Sequence, residues 1–325
     1  MRERSLVAAA AVLAAIIASS FTSTAFATPV FSLRVEAPGK TVDPGTWYAP
    51  RNPIAAQRGE LSGPGNCVRA GGDISLQGRT ALGLLASAAN ANGALRPVLV
   101  AEDAFGRRVC RAAGFNETDT PFTGWLYRVN HVPPTPAADL FAIDKDDDIL
   151  WVFANFGSGT NTGDELVLQA PFRAIPGTVQ VAVTAFDFNG VSKPAPDGTV
   201  ISGGTTPAVT AGGVATVPVA AGRTVLRATG PGATPTEIPS NQVPLCVAPQ
   251  LSDCPAAPGR RIVGSNLRDV IKGTPGPDVI RTRGGKDVVR VRGGGADVVN
   301  CGKAKDKVIA DAGDKVRRCE KGKRR

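Results

Sequence analysis

The chain has 325 residues, a net charge of +9, six cysteines and one histidine. A single histidine excludes multi-histidine metal centres, and any Ser-His-Asp or Cys-His arrangement would have to use His131. With 38 glycines, 26 prolines and few long amphipathic stretches, the composition points to a mainly β, multi-domain protein.

Residues 1–27 read as a signal peptide. Arg2 and Arg4 precede an apolar run from Leu6 to Ala18, and Ala25-Phe26-Ala27 is a small-x-small cleavage triplet. Cleavage after Ala27 leaves Thr28 as the first mature residue; an uncleaved anchor is the alternative. No later apolar run is long enough for a membrane helix, so a soluble, secreted or cell-surface protein without a transmembrane segment is expected. Export makes disulfides the natural state of Cys67, Cys110, Cys246, Cys254, Cys301 and Cys319. Fifteen connectivities exist in principle, and the even spread along the chain favours the three local pairs. The absence of Cys-x-x-Cys weighs against zinc.

Residues 28–170 predict an α+β domain. Residues 30–42 alternate as a half-buried strand that turns at Pro38-Gly39. Residues 49–78 read as irregular. A helix is predicted over residues 80–90, with Leu82, Leu85, Ala86 and Ala89 on one face. Strands are predicted at 98–102, 107–111, 125–130 and 149–156. The strings Ser32-Leu33-Arg34-Val35-Glu36, Thr80-Ala81-Leu82-Gly83-Leu84-Leu85, Gly124-Trp125-Leu126-Tyr127-Arg128-Val129-Asn130 and Ile149-Leu150-Trp151-Val152-Phe153 resemble a transcobalamin-like C-terminal domain. Two departures stand out: His131 replaces the family's Gly after Asn130, and Lys145-Asp146-Asp147-Asp148 replaces a Gly-Asp. In transcobalamin such a domain helps to cover a corrinoid together with a large helical domain, which has no counterpart here. The resemblance therefore implies a fold and leaves the small-molecule ligand of this domain unknown.

Residues 171–247 read as an Ig-like or prealbumin-like β-sandwich. Residues 213–219 and 224–229 are expected to form a hairpin through Ala220-Ala221-Gly222-Arg223. Residues 248–259 form a Pro-rich linker.

Residues 260–320 carry the most specific pattern. Asp269, Asp278, Asp287, Asp297 and Asp306 recur at spacings of 9, 9, 10 and 9, each before an aliphatic or Lys-aliphatic pair. A nine-residue period with Gly, Asp and an aliphatic residue predicts a parallel β-roll. The unit Gly273-Thr274-Pro275-Gly276-Pro277-Asp278-Val279-Ile280-Arg281 resembles the haemolysin-type calcium-binding (RTX) family. That resemblance implies calcium at the five aspartates with Gly273 and Gly276 in the turn. Two units make a circuit, so Asp269, Asp287 and Asp306 should share one edge, and Asp278 and Asp297 the other. Of the two edges, the one with Asp269 and Asp287 is the better metal candidate, together with the complete unit at Asp278. Lys286 and Lys305 beside the aspartates oppose a cation, so a roll held by its valines alone remains open. A Cys301–Cys319 bridge would cap the last strand, and residues 321–325 form a basic tail expected to be disordered.

Charge is divided. Residues 260–325 carry 19 Lys and Arg against 8 Asp and Glu, whereas residues 28–259 carry 16 against 19. Arg281, Arg283, Arg290, Arg292, Lys303 and Lys305 make the roll a candidate for binding an anionic cell-envelope polymer. No pattern specifies nucleic acid. His131 beside Pro133-Pro134 reads as an ordinary loop residue, and Asp144 with Asp146, Asp147 and Asp148 as a solvated turn. Trp125 and Trp151 read as core. The sequence is that of an exported, non-enzymatic binding or adhesion protein. An exported polysaccharide-acting enzyme and an envelope-attached spacer are the alternatives.

Overall fold

The computed structural model describes residues 27–62, 67–103, 106–119 and 122–320. Residues 1–26 of the predicted signal peptide and the basic tail 321–325 lie outside the described residues. The architecture is mainly β, with five sheets and one α-helix among the described residues.

Strand Phe31–Ala37 lies inside a nine-stranded sheet. It pairs antiparallel with Lys40–Tyr48 and parallel with Asp148–Asn155, which pairs antiparallel with Phe122–Val129. One face carries Phe31, Leu33, Val35, Trp151 and Phe153 into a core shared with the helix Ala81–Ala91. The helix begins at Thr80, whose Oγ1 accepts the Gly83 N–H at 3.1 Å and so satisfies one of the amides that a first turn leaves free. Residues 81 to 89 of the helix are all buried. A second, five-stranded sheet completes this core with Ile54, Ala56, Ile74, Leu76, Val100 and Val109.

That second sheet corrects the irregular reading of residues 49–78. Ile54–Leu61 and Cys67–Leu76 are strands paired antiparallel. Only Ile54, Ala56, Ile74 and Leu76 at one end of the pair join the main core. The rest is mostly small or polar, Gln57-Arg58-Gly59-Glu60 on one strand and Arg69-Ala70-Gly71-Gly72-Asp73 on the other, so the alternation that marks a strand is weak.

Residues 165–247 form two facing sheets. Gly177–Phe186 pairs with Glu165–Gln169, Ser192–Pro194 and Val214–Val219. Gly222–Thr229 pairs with Val200–Ser202 and Val243–Val247. Leu166, Val181, Val183, Val217, Leu226 and Leu245 fill the space between them. The expected hairpin is absent: Val214–Val219 and Gly222–Thr229 lie in opposite sheets. Pro218 has no N–H to give a hairpin partner, and the chain crosses between sheets through Ala220-Ala221 instead.

Residues 261–317 wind as a parallel roll of three-residue strands. Arg261–Val263, Val279–Arg281, Val298–Asn300 and Lys315–Arg317 stack in one sheet. Val270–Lys272, Val288–Arg290 and Lys307–Ile309 stack in the other. The middle residues, among them Ile262, Ile271, Ile280, Val289, Val299 and Val308, meet in a common core. The roll is not a separate bead. Arg261–Val263 pairs in parallel with Lys40–Tyr48, Trp47 opposite Ile262 and Tyr48 opposite Val263. The nine-stranded sheet therefore runs from the N-terminal module into the roll. Disulfides join Cys67 to Cys110, Cys246 to Cys254 and Cys301 to Cys319.

Candidate functional site

The period of the roll sets the position of each aspartate. Asp269, Asp287 and Asp306 stack on one edge, and Asp278, Asp297 and Asp314 on the other. Every rung has the same construction: the backbone N–H of one aspartate donates to Oδ1 of the aspartate one circuit later. These bonds measure 2.8 Å from Asp269 to Asp287 and 2.8 Å from Asp287 to Asp306. On the second edge they measure 2.7 Å from Asp278 to Asp297 and 3.0 Å from Asp297 to Asp314. The Arg260 N–H starts that edge, donating to Asp278 Oδ1 at 2.6 Å. All six carboxylates are buried. Asp314 adds to the five aspartates read from the sequence. It follows Asp306 by eight residues, so a nine-residue template passes over it.

The second carboxylate oxygen divides the ladder into two kinds of unit. Where the residue four before the aspartate is Ser265 or Thr274, the loop closes on the carboxylate. Asp269 Oδ2 accepts the Ser265 N–H at 2.7 Å and its hydroxyl at 3.0 Å. Asp278 Oδ2 accepts the Thr274 N–H at 2.6 Å, and Oδ1 accepts the Thr274 hydroxyl at 2.8 Å. Asp314 Oδ2 accepts the Asp311 N–H at 2.6 Å, while at Asp287, Asp297 and Asp306 the equivalent residues are Arg283, Gly293 and Gly302, with φ of 74°, 82° and 74°. That backbone turns the amide elsewhere: the Gly293 N–H goes to Asp311 Oδ2 and the Gly302 N–H to Asn300 Oδ1. Oδ2 of Asp287, Asp297 and Asp306 is consequently buried without a hydrogen-bond partner among the described residues. Burial pushes the Asp287 and Asp297 carboxyls up to about 6, with neighbouring aspartates adding to the rise.

Calcium asks for free carboxylate oxygens and converging carbonyls. The unit nearest to the repeat pattern is closed by protein donors at Asp278. Gly273 provides the room for that closure, since a Cβ there would stand 2.7 Å from Asp278 Oδ2. Gly276 packs on the linker, where a Cβ would lie 2.2 Å from the Pro258 carbonyl. The degenerate unit at Asp297 is more open. Three oxygens surround the point where a Gly294 Cβ would stand: Thr274 O at 2.9 Å, Asp297 Oδ2 at 3.1 Å and Val291 O at 3.5 Å.

The six basic residues singled out in the sequence do not share a face. Arg281 and Arg290 lie on opposite sheets. Arg292 is 3.8 Å from Asp311, and Lys305 is 3.5 Å from Glu320. Lys303 is exposed in a turn. Arg283 crosses to the N-terminal module, where Nη2 donates to Asn90 O at 3.0 Å. Strand pairing gathers a different set. The outer flanks of one sheet present Arg261, Arg281, Lys315 and Arg317, and those of the other Lys272, Arg290 and Lys307, all exposed. No strand position of the roll is acidic.

A second cluster lies where the N-terminal module meets the sandwich. Glu165 is fully buried; the Arg34 guanidinium donates to its Oε1, His131 Nδ1 lies 3.2 Å from the same oxygen, and Arg128 Nη1 lies 3.8 Å from Oε2. Burial pushes the Glu165 carboxyl up, and Arg34, the His131 hydrogen bond and Arg128 outweigh it, so the net shift is downward. His131 is thus no ordinary loop residue. It stacks on Phe186 of the sandwich with 4.2 Å between ring centroids. Candidate ligand atoms of His131, Asp148 and Glu165 lie within 4.8 Å of one another. The two arginines on Glu165 already balance the two carboxylates, which disfavours a divalent cation there. Close by, Glu36 is buried and bonded to Arg227 Nη2 at 2.8 Å; burial pushes its carboxyl up to about 7 despite Arg34 and Arg227. The acidic turn is local: Asp147 accepts the Asn130 amide at 2.7 Å and the Asp144 N–H at 2.7 Å.

A cavity of about 310 Å³ opens beside this junction, lined by Trp125, Tyr127, Trp151, Phe156 and Phe188 with Arg128 at its side. Trp125 and Trp151 also belong to the core, as expected. Trp47 packs on the roll core, with the Arg260 guanidinium 3.8 Å above its ring.

No family model matches the chain, and no curated protein matches it. Among solved structures, one titled as haptocorrin in complex with Cbi is similar to it at 9% identity and a TM-score of 0.25. The match covers 40% of this chain and 26% of that one, and a likeness this slight bears on neither fold nor ligand.

Proposed function

We propose that this chain is an exported, non-enzymatic binding protein that holds an anionic cell-envelope polymer on the sheet faces of its C-terminal roll. The observation that carries this reading is the segregation of charge. Seven cations flank the roll strands on the outside, whereas the repeat aspartates are turned inward into hydrogen-bonded ladders. Lys272 stands opposite Arg290 on adjacent strands about 4.8 Å apart, and Lys307 stands opposite Val288 on the next strand, so the sheet face presents charge in a staggered row suited to a repeating polyanion. The three disulfides fit an extracellular protein, and no helix among the described residues is long and apolar enough to cross a membrane. Calcium fits best at Asp297 with the Thr274 and Val291 carbonyls, where it would neutralise buried carboxylate and tie adjacent coils. The test is retention of the mature protein on immobilised heparin across a salt gradient. The K272S/R290S/K307S variant should elute at clearly lower salt; elution at the wild-type position would sink the reading.

The aromatic cavity supports a second role, the binding of a small apolar ligand where the N-terminal module meets the sandwich. A hydrophobic fluorophore should bind the wild type saturably and bind Phe188→Ser weakly. Equal binding by both removes this role.

A further inference from the structure

At the seam between the roll and the N-terminal module three arginines meet without a counter-charge. Arg96 donates from Nε to Ala89 O at 2.7 Å and from Nη2 to Asn90 O at 2.6 Å. Arg283 donates from Nη2 to that same Asn90 oxygen at 3.0 Å. Two guanidinium groups from different modules therefore share one carbonyl at the C-terminal end of the helix. Arg51 is near enough for its charge, with that of Arg96, to press on Arg283, whose pKa is lowered by burial first and then by Arg96 and Arg51. Arg51 Nε is buried without a hydrogen-bond partner among the described residues. None of the three has a carboxylate partner among those residues.

The backbone at Arg283 gives a second, independent sign. Its φ is 74°, and the equivalent turn positions of the next two units are Gly293 and Gly302. An L-residue in that conformation carries a strain that glycine avoids. The turn is nonetheless locked, since Lys303 N–H donates to Arg283 O at 2.8 Å. The chain thus places an arginine where the next two units use glycine, and that arginine reaches the carbonyl that Arg96 also holds.

We propose that Arg51, Arg96 and Arg283 form a binding site for a phosphate group. Partial negative charge at a helix C-terminus holds one cation comfortably but not three. Arg96 and Arg283 retain N–H groups that no described residue accepts, in planar forks suited to a tetrahedral oxyanion. A single carboxylate would be matched by one such fork; three guanidinium groups match a multiply charged oxyanion. This site is separate from the sheet faces that would hold a polymer, and different residues test it.

The experiment is a calorimetric titration of the mature protein with inorganic phosphate at low ionic strength. One site is expected, weakened at least tenfold in Arg283→Gly and in the R51Q/R96Q pair, with acetate failing to compete. Arg283→Gly restores the residue that the turn prefers, so its fold should survive, and its unfolding midpoint is recorded alongside. Wild-type affinity in Arg283→Gly, or equal competition by acetate, overturns the proposal. Sedimentation with phosphatidylglycerol and phosphatidylcholine vesicles distinguishes the source. Retention on the former that Arg283→Gly abolishes supports a lipid headgroup. No retention alongside phosphate binding supports a soluble phosphate.

Discussion

The junction with the sandwich and the C-terminal roll both bury carboxylates, and they compensate them in opposite ways. At the junction Glu165 and Glu36 face the guanidinium groups of Arg34, Arg128 and Arg227. In the roll the six aspartates face backbone amides and, at two units, a hydroxyl, while the nearby cations point outward. The first arrangement welds two modules through a few costly pairs. The second repeats one inexpensive bond along an axis and leaves three carboxylate oxygens open. Charge partners give strength at one point; amide partners give a register that propagates, and a capacity for a cation.

The contrast can be broken most forcefully at Arg34. Replacing it with Ala leaves Glu165 buried beside Arg128 and His131, and a broken buried pair costs about 3–5 kcal/mol. Urea unfolding of R34A should show a loss of that order, much of which R34M/E165Q recovers. A loss under about 1 kcal/mol would mean that Arg128 suffices.

The roll should respond differently. Asp297→Asn keeps an oxygen for the Asp278 N–H and removes a charge that burial disfavours, so at pH 7.5 it should be neutral or stabilising. Asp297→Ala loses the acceptor and should cost about 1–3 kcal/mol. Both should abolish any thermal stabilisation by millimolar calcium, and an undiminished calcium response in Asp297→Asn would move the cation elsewhere.

The pH dependence follows from the raised carboxyls. Glu36 at about 7 and Asp287 and Asp297 at about 6 hold protons in the folded chain that the unfolded chain releases near the usual carboxylate range. The stability these three groups contribute is therefore full below that range and is lost as pH rises from about 4 to 7. Glu165, with its lowered pKa, opposes this only at more acid pH. Midpoints of urea unfolding at pH 5 and 7.5 check the sign. The smallest effect is expected at Lys305→Ser, whose exposed partner Glu320 makes a pair worth about 0–1 kcal/mol.

Much of the roll was legible in the sequence. A spacing of nine fixes a circuit of two strands, and that circuit sorts the aspartates onto two edges. What the spacing could not tell was which units close on themselves, because that depends on the residue four positions earlier and its backbone. Ser265 and Thr274 close; Arg283, Gly293 and Gly302 open. The junction was not legible at all. Ser32-Leu33-Arg34-Val35-Glu36 reads as a strand with its polar face in water, yet Arg34 and Glu36 are buried because the sandwich covers that face. Local alternation reports that one face is polar and says nothing of what later packs on it. The same blindness hid His131, whose partners Glu165 and Phe186 lie far along the chain.

The continuous nine-stranded sheet also determines how tension would travel through an anchored molecule. If the roll is fixed to a polymer and the remainder is dragged, part of the pull crosses one lateral seam, where Trp47 and Tyr48 lie against Ile262 and Val263. A pull along the strands loads those hydrogen bonds together, whereas a pull across them opens the bonds one at a time. A second strap runs beside the seam, since Thr28 donates to Val270 O at 2.8 Å and accepts the Val270 N–H on its hydroxyl at 2.8 Å. Thr28, which follows the predicted cleavage point, is thereby moored to the module proposed to grip, and shear resistance is concentrated in a few residues around Trp47.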